Sequence, residues 1–287
     1  MYEGIMTALI TPLNEEKKVD KESLEKLIEY QINNNVNSLL ILGGTGEYTS
    51  LNNEQKKEVI DESVRIVNNR VPIIVGLIEP GVGNTIKMGM YAKKSGADAL
   101  MIVTPYYVSP EQQGIIEYYK TLDQSLNMPI LLYNIPHKTN VNMLPETVHS
   151  IVNNTKNIVG IKECTENFGQ MTEVINLVGD KITVLAGEEF AAVPSMIFGA
   201  KGAVMASANI IPDKWVELYK MINDNKISDA IKQNKEYFPL FKAIFREGNP
   251  GPLKSLLDQN GLSLSELNLP LIKPTEETKN ILKNFKL

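Results

Sequence analysis

The sequence predicts a (β/α)8 TIM barrel that is followed by a C-terminal helical subdomain. Eight short apolar runs alternate with longer amphipathic segments between the N-terminus and about residue 211. The runs are mostly apolar throughout, which indicates strands buried on both faces, as in a parallel sheet covered by helices. A chain of 287 residues has the length that such a barrel needs, since barrels of roughly 250 residues fold as one unit.

Each apolar run has the length of a strand and is rich in Ile, Val and Leu. The runs begin at Ile5, Ser38, Pro72, Asp98, Pro129, Ile158, Ile182 and Gly202. The segments between them have helical periodicity, and two of them open on capping boxes, Asn52 with Gln55 and Ser109 with Gln112. An open doubly wound sheet is the main alternative, but the GVGNTI segment at Gly81 lacks the spacing of its glycine-rich nucleotide loop.

After the eighth run the pattern changes to helices separated by loops. The last part of the chain contains the helical segments WVELYKMINDN, ISDAIKQNKEYFPLFKAIF, GPLKSLLDQNG and TEETKNILKNF. This exceeds the one helix that completes a barrel. We therefore expect a barrel core over residues 1–211, with residues 212–287 forming the eighth helix and a helical extension packed on the barrel.

Composition and charge exclude several classes of protein. Lysine and arginine number 29 and aspartate and glutamate 34, which gives a net charge of −5 with no sustained basic cluster. We therefore expect no nucleic acid or membrane surface as a partner, and no apolar run approaches the ~20 residues that span a bilayer. The single cysteine, Cys164, can form no intrachain disulfide, which predicts a protein of the reducing cytoplasm. The two histidines, His137 and His149, stand in no zinc-binding pattern, so we expect no metal site.

Lys162 is the first candidate for catalysis. Active sites of such barrels form at the carboxyl ends of the strands, and Lys162 lies late in the apolar run IVGIKEC. Desolvation there lowers the pKa of an amine, and an amine held partly neutral near pH 7 is the nucleophile that a Schiff base needs. A lysine paired with a carboxylate or reaching solvent is the alternative, although the adjacent Glu163 points to the opposite face of the strand.

Tyr133 is the second candidate. It ends the fifth apolar run, PILLYNIP, beside the predicted strand of Lys162. We expect the two side chains to converge at the mouth of the barrel, where a phenol can relay protons as a carbinolamine forms and collapses. The alternative is a core tyrosine whose hydroxyl is bound to the backbone.

Two further segments carry polar groups at strand ends. The segment GGTGEYTSL, residues 43–51, has glycines that let backbone N–H groups turn toward a carboxylate or a phosphate, or that only permit a tight turn. Glu188 and Glu189 follow the seventh run. Their carboxylates could bind substrate hydroxyls or cap the helix that comes next.

Together these segments resemble the dihydrodipicolinate synthase/N-acetylneuraminate lyase family of class I aldolases, over essentially the whole chain. The order and spacing of several motifs carry the resemblance, not any single motif. The motifs are GGTGEYTSL (43–51), TPYY (104–107), YNIPHKT (133–139), GIKE (160–163), GAKGAV (199–204) and NPGPLK (249–254).

The resemblance implies a barrel with three C-terminal helices, commonly a tetramer, that binds pyruvate or a 2-oxo acid as an imine on Lys162. We expect a homo-oligomer, either a dimer or a tetramer. No metal or nucleotide cofactor is expected. Tyr133 would relay protons, and Thr45 with neighbouring backbone amides would hold the keto-acid carboxylate. Val204, in the GAKGAV motif, is expected to line the same site. In many members the tyrosine that matches Tyr107 reaches across a dimer interface into the partner's site.

The departures from the family pattern concern the second substrate. Dihydrodipicolinate synthases typically have a threonine at the position of Gly44, and its hydroxyl completes a proton relay between two tyrosines. They also have an arginine at the position of Lys138, and arginine binds a carboxylate with a planar fork that lysine does not reproduce. Cys164 stands where a sialic acid lyase would have a substrate-binding threonine, whereas Glu188–Glu189 is similar to the acidic pair of those lyases.

These observations favour a lyase that acts on a 2-oxo-3-deoxy sugar acid, or that condenses pyruvate with an aldehyde. One alternative is a dihydrodipicolinate synthase, which condenses pyruvate with aspartate semialdehyde. A second alternative is a catalytically inactive keto-acid sensor, against which the intact pair of Lys162 and Tyr133 argues.

Overall fold

The structure is a computed structural model that describes residues 2–285. Within these residues eight parallel strands pair in chain order, and the eighth pairs with the first, which closes a barrel. The strands are β1 Gly4–Ala8, β2 Ser38–Ile41, β3 Ile73–Leu77, β4 Ala99–Val103, β5 Ile130–Asn134, β6 Ile158–Glu163, β7 Thr183–Ala186 and β8 Gly202–Met205. Each predicted run overlaps one strand, so the prediction of a (β/α)8 barrel is confirmed.

Twelve α-helices are present in the described residues. They are α1 Lys21–Asn33, α2 Asn53–Val67, α3 Val82–Ser95, α4 Gln112–Leu126, α5 Pro136–Thr139, α6 Pro145–Asn153, α7 Phe168–Val178, α8 Glu189–Ile197, α9 Pro212–Asn223, α10 Ile227–Ile244, α11 Gly251–Gln259 and α12 Glu276–Leu282. Asn52 and Gln55 form the predicted capping box of α2. The capping prediction at Ser109 is wrong. Glu111 is the N-cap of α4, and the left-handed φ of 45° at Ser109 turns the chain before the helix begins.

Strand residues alternate between the interior of the barrel and the layer beneath the helices. The interior cluster consists mainly of apolar side chains, among them Met6, Leu40, Ile74, Met101, Leu131, Leu185 and Val204. Tyr133 and Cys164 belong to the same interior cluster. A larger cluster joins the outer faces of the strands to the helices. The carboxyl ends of β5 and β6 therefore carry polar atoms into the barrel itself.

A β-bulge sets the register between β5 and β6. The pairing shifts by one residue between Ile130 and Leu131, so that β6 contains one residue more than the facing part of β5. Beyond the shift, Tyr133 pairs with Lys162. Without the extra residue Tyr133 would face Ile161, because a slip of one residue exchanges the two faces of a strand. The bulge therefore brings the tyrosine and the lysine to the same face.

Of the helices after β8, α9 packs against β1 and α8, and the other three pack against one another. α10 contacts α8, α9, α11 and α12. In α11, the ammonium of Lys254 forms an ion pair with Glu47, in the loop after β2, and both side chains are fully buried. The same ammonium donates a hydrogen bond to the carbonyl of Glu266, at 2.6 Å. These contacts hold the helical extension against a loop that borders the mouth of the barrel.

Candidate active site

The ends of β5 and β6 bring a lysine and a tyrosine into contact. Lys162 Nζ lies 3.5 Å from Tyr133 Oη and 4.5 Å from the centre of the Tyr133 ring. Both residues are buried, with exposed fractions of 7% and 5%. The phenol hydroxyl is therefore close to any group that forms on the lysine nitrogen. A small movement of either side chain brings the two to the distance that proton transfer needs.

The charge of Lys162 is set by two opposing effects. Burial favours the neutral amine and by itself lowers the pKa, but the acidic groups of Tyr133, Cys164, Glu188 and Glu189 raise the pKa of Lys162 above its usual value. This direction is opposite to the lowered pKa that the apolar strand predicts, so a proton must leave the ammonium of Lys162 before its nitrogen attacks a carbonyl.

Tyr133 keeps its proton at neutral pH. Burial raises the pKa of Tyr133 to about 12, although the nearby Lys162 acts in the opposite direction. A phenol in this state can donate its proton while its oxygen accepts a hydrogen bond, here from Lys162 Nζ. Tyr133 is thus suited to protonate a leaving hydroxyl group beside Lys162.

A cavity of about 500 Å³ opens around this pair at the carboxyl end of the barrel. Ala8, Leu40 and Val103 contribute apolar strand residues to its wall. Seven of the predicted site residues also line it, namely Gly44, Thr45, Tyr133, Lys138, Lys162, Glu188 and Val204. A concave site with a few converging polar groups is the usual form of a small-molecule site.

Tyr107 is the predicted site residue that lies outside this cavity. It is 93% exposed and has a φ of 76°, in the loop between β4 and α4. Its neighbour Tyr106 lines the cavity instead and donates a hydrogen bond to the carbonyl of Ile78, at 3.2 Å. A role for Tyr107 in the site of a second copy of the chain stays a prediction.

Thr45 is in contact with a residue from the helical extension. The Thr45 hydroxyl accepts a hydrogen bond from Asn249 Nδ2, at 3.0 Å, and Asn249 lines the cavity from the loop between α10 and α11. Asn249 is not among the site residues that the sequence predicts. The feature of the sequence that points to this residue is its position at the start of the NPGPLK motif, where a polar residue interrupts an otherwise helical region.

The two glutamates after β7 have different surroundings. The Glu189 Oε1 accepts hydrogen bonds from the backbone N–H groups of Ala206 and Ser207, at 2.7 and 2.9 Å, and so binds the chain after β8 to α8. The Glu188 Oε1 lies 3.9 Å from Nδ1 of His137, which also lines the cavity and is not among the site residues that the sequence predicts. Burial raises the pKa of both glutamates. Because backbone groups already use the Glu189 carboxylate, Glu188 is the member of the pair that is available to a substrate.

Polar side chains also occupy the outer face of the β5–β6 pair. Asn134 Nδ2 donates to both carboxylate oxygens of Glu163, at 2.9 and 3.0 Å, and Gln170 Nε2 approaches one of them at 3.4 Å. Glu163 is fully buried, and burial raises its pKa to about 7. As expected from strand alternation, Glu163 is directed away from Lys162 and has its own partners.

The two histidines lie in different parts of the fold. His149 is on α6, with Nε2 at 3.0 Å from the Asn153 amide, whereas His137 is at the cavity. Among residues 2–285, no group of three or more His, Cys, Asp and Glu side chains could hold a metal ion. None of the helices described combines the length and the apolar character that crossing a membrane requires.

Comparisons with known proteins agree over the whole chain. The model of the dihydrodipicolinate synthetase family matches residues 1–285. A protein of Thermosipho africanus named 4-hydroxy-tetrahydrodipicolinate synthase is 37% identical, over 98% of this chain and 97% of its own length. The protein of that name from Methanocaldococcus jannaschii is 38% identical, over 99% and 97%.

Solved structures give the same result. The dihydrodipicolinate synthase of Aquifex aeolicus superposes with a TM-score of 0.96 at 33% identity, over 99% of this chain and 96% of its own. The enzyme of that name from Acinetobacter baumannii, in a structure described as complexed with pyruvate, also has a TM-score of 0.96 at 33% identity, over 99% and 97%. With this fold, this arrangement of Lys162 and Tyr133 and these relatives, the chain belongs to the dihydrodipicolinate synthetase family.

Proposed function

We propose that the protein is a pyruvate-dependent lyase that forms an imine between Lys162 and pyruvate, or a 2-oxo acid that releases pyruvate. The observation that carries the proposal is the buried contact of Lys162 Nζ with Tyr133 Oη at the carboxyl end of the barrel. The structure of the Acinetobacter baumannii relative in complex with pyruvate supports the same choice of substrate.

The chemistry proceeds through two proton-dependent stages. The neutral amine of Lys162 attacks the ketone carbon, and the carbinolamine then loses its hydroxyl as water, for which Tyr133 supplies the proton. The protonated imine withdraws electrons from the neighbouring carbon. Either that carbon loses a proton, or its bond to the next carbon breaks while the hydroxyl of that next carbon gives its proton to the Tyr133 phenolate and becomes an aldehyde carbonyl; both routes give an enamine. In the cleavage direction, protonation of the enamine carbon and addition of water to the imine then release pyruvate and restore the amine of Lys162. In the synthetic direction the enamine carbon attacks an aldehyde, whose oxygen takes up a proton.

We assign the keto-acid carboxylate to Thr45, and the rest of the substrate to the part of the cavity lined by Lys138, Glu188 and His137. There Lys138 offers a positive charge, and Glu188 and His137 offer hydrogen-bonding groups 3.9 Å apart. This combination suits a chain with hydroxyl groups and an acidic end. We therefore propose a 2-oxo-3-deoxy sugar acid as the substrate that is cleaved, with pyruvate and a hydroxylated aldehyde as the two products.

The names of the relatives favour a second candidate, 4-hydroxy-tetrahydrodipicolinate synthase. Gly44 and Lys138 argue against this candidate. Synthases of that name typically have a threonine of the proton relay at the position of Gly44 and a carboxylate-binding arginine at the position of Lys138. A methyl group built at Gly44 would meet no atom within 4 Å, so the first carbon of a side chain has room at this position. The double variant Gly44→Thr/Lys138→Arg is therefore expected to raise turnover of aspartate semialdehyde above that of the natural chain.

Borohydride trapping tests the common mechanism. The protein is incubated with pyruvate and sodium borohydride, and the reduced adduct is located by mass spectrometry, with Lys162→Arg as the control. An adduct on Lys162 is expected, together with activity that a chelator leaves unchanged. Loss of activity on chelation, or an adduct on another lysine, would refute a metal-free mechanism at Lys162.

A substrate panel then separates the candidate functions. Release of pyruvate from 2-oxo-3-deoxy sugar acids supports the lyase, and consumption of pyruvate with aspartate semialdehyde at a comparable rate supports the synthase. An adduct without turnover of any member of the panel supports the keto-acid sensor.

The assembly and location of the protein are part of the same proposal. We infer a dimer or tetramer, because Tyr107 is exposed and lies outside the cavity of its own chain. We also assign the protein to the cytoplasm, since its one cysteine, Cys164, is a free and buried thiol. Light scattering of the purified protein tests the assembly, and a monomer would leave Tyr107 without a role.

A further inference from the structure

Two of the contacts between the loop that carries Thr45 and the helical extension bear on Thr45. One is the hydrogen bond from Asn249 Nδ2 to the Thr45 hydroxyl. The other is the fully buried ion pair between Glu47, two residues beyond Thr45, and Lys254, five residues beyond Asn249. Removing either ionic partner would leave a buried charge unpaired, which is costly. The ion pair therefore fixes the separation of the two segments at the position where Asn249 meets Thr45.

The direction of this hydrogen bond decides what the Thr45 hydroxyl can offer to a ligand. A hydroxyl has one proton and two lone pairs. When Asn249 donates to the oxygen, one lone pair is used and the hydroxyl proton is left for an acceptor in the cavity. The opposite orientation of the amide would take up that proton and turn lone pairs toward the ligand.

A keto-acid carboxylate has only acceptor oxygens, so it needs the first of these arrangements. We propose that Asn249 is a positioning residue that orients the Thr45 hydroxyl proton toward the carboxylate of the bound keto acid. This inference rests on the proposed function, because it assigns the carboxylate to Thr45. Asn249 Oδ1 has no hydrogen-bond partner among the residues described, so the bond to Thr45 is the polar contact that holds the amide.

A double-mutant cycle tests whether Asn249 acts through Thr45. The quantity measured is the pyruvate concentration that gives half-maximal borohydride trapping on Lys162, in the natural chain, Thr45→Val, Asn249→Ala and the double variant. A hydrogen bond to a charged group is worth roughly a tenfold to hundredfold change in affinity, and we expect Thr45→Val to cause a rise of this size. Asn249→Ala should cause a rise of roughly tenfold. The double variant should match Thr45→Val alone, whereas independent effects that multiply would overturn the inference.

Asn249→Asp provides a second test that keeps the shape of the side chain. An aspartate can only accept from Thr45, so it imposes the opposite direction of the bond and adds a negative charge. We expect a larger rise in half-saturating pyruvate than for Asn249→Ala, with the trapping rate at saturation much less affected. A value equal to that of the natural chain would show that Thr45 already donates to residue 249, and the inference would fall.

Asn268 gives a matched control. It also reaches the loop after β2 from the C-terminal segment, but its Nδ2 donates to the carbonyl of Ser50, at 3.3 Å, and not to Thr45. Asn268→Ala should keep half-saturating pyruvate within about twofold of the natural chain, whereas a general loosening of the loop would change both variants alike. Absence of any Lys162 adduct in the natural chain would refute the proposed function itself. An adduct with independent effects in the cycle would refute only the role of Asn249.

Discussion

The α-carbon of Gly187 faces the side chain of Lys162 at a distance that leaves no room for a side chain at position 187. A methyl group there would lie 2.8 Å from Lys162 Cε and would clash with the sulfur of Cys164. Gly187 directly follows β7, and its N–H donates to the Glu163 carbonyl at 2.9 Å, so the backbone cannot easily withdraw. The absence of a side chain at position 187 is therefore what allows Lys162 to extend toward Tyr133.

Gly187→Ala tests this relationship. The added methyl group should displace Lys162 from Tyr133, and overpacking of this kind costs about 1–3 kcal/mol. We expect the rate of borohydride trapping with pyruvate to fall at least tenfold while the protein remains folded by circular dichroism. Gly83→Ala is the control, because a methyl group at this exposed position of α3 meets no atom within 4 Å. Equal trapping rates in the two variants would contradict the steric role of Gly187.

Tyr133→Phe separates proton relay from packing. The variant keeps the ring that lies 4.5 Å from Lys162 Nζ and removes only the hydroxyl. The free energy of unfolding should change by about 1 kcal/mol, the value of one hydrogen bond. Turnover should fall by roughly 10²–10⁴, as for the loss of a general acid or base, and trapping should slow as well. A folded variant with normal turnover would mean that the proton takes another route, and an unfolded variant would make the hydroxyl structural.

Sequence patterns could predict the barrel and most of the cavity, because both follow from local features. Continuous apolar runs mark buried strands, and polar residues at their ends fall at one rim of the barrel. The register that pairs Tyr133 with Lys162 depends in addition on the bulge in β6, and no local pattern distinguishes IVGIKE with a bulge from the same strand without one. Convergence of the two side chains could be inferred, but not the contact between them.

Long-range contacts explain what the sequence patterns did not predict. Asn249 reaches Thr45 across 204 positions of the chain, so only the packing of the helical extension brings them together. The pKa of Lys162 shifts in the direction opposite to the expectation. Desolvation, which lowers this pKa, can be inferred from an apolar strand. The acidic neighbours from β5 and from the chain after β7, which raise it, come close only when the barrel closes. The backbone after β8 likewise decides which of the two glutamates is available to a substrate, because its N–H groups bind Glu189 and leave Glu188.

The raised pKa of Lys162 predicts how imine formation depends on pH. Below this pKa the neutral amine is a minor form whose population grows about tenfold for each unit of pH. The rate of trapping at limiting pyruvate should therefore increase from pH 6.5 to pH 9. Glu188→Gln removes one of the groups that raise the pKa, and it should shift the profile to lower pH. A rate that does not change over this range would indicate that Lys162 is already neutral in the protein.

Glu163 makes the stability of the fold dependent on pH through a carboxyl group that faces away from the cavity. Burial raises its pKa from 4.5 to about 7, so between these values the folded protein binds a proton that the unfolded chain releases. Stability must then fall as the pH rises through this interval, by about 3 kcal/mol for a shift of this size. Glu163→Gln cannot ionise, so it should remove this part of the pH dependence. Its amide fits the donors of Asn134 and Gln170 less well, which should lower stability at pH 5.

The measurement is the free energy of unfolding in urea at a fixed protein concentration, from pH 4.5 to pH 8. The difference between the natural chain and the variant should move in favour of the variant as the pH rises, while Glu146→Gln, on the exposed side of α6, should give a curve parallel to that of the natural chain. Parallel curves for Glu163→Gln as well would mean that the donors of Asn134 and Gln170 keep this carboxylate ionised at pH 5 in spite of its burial.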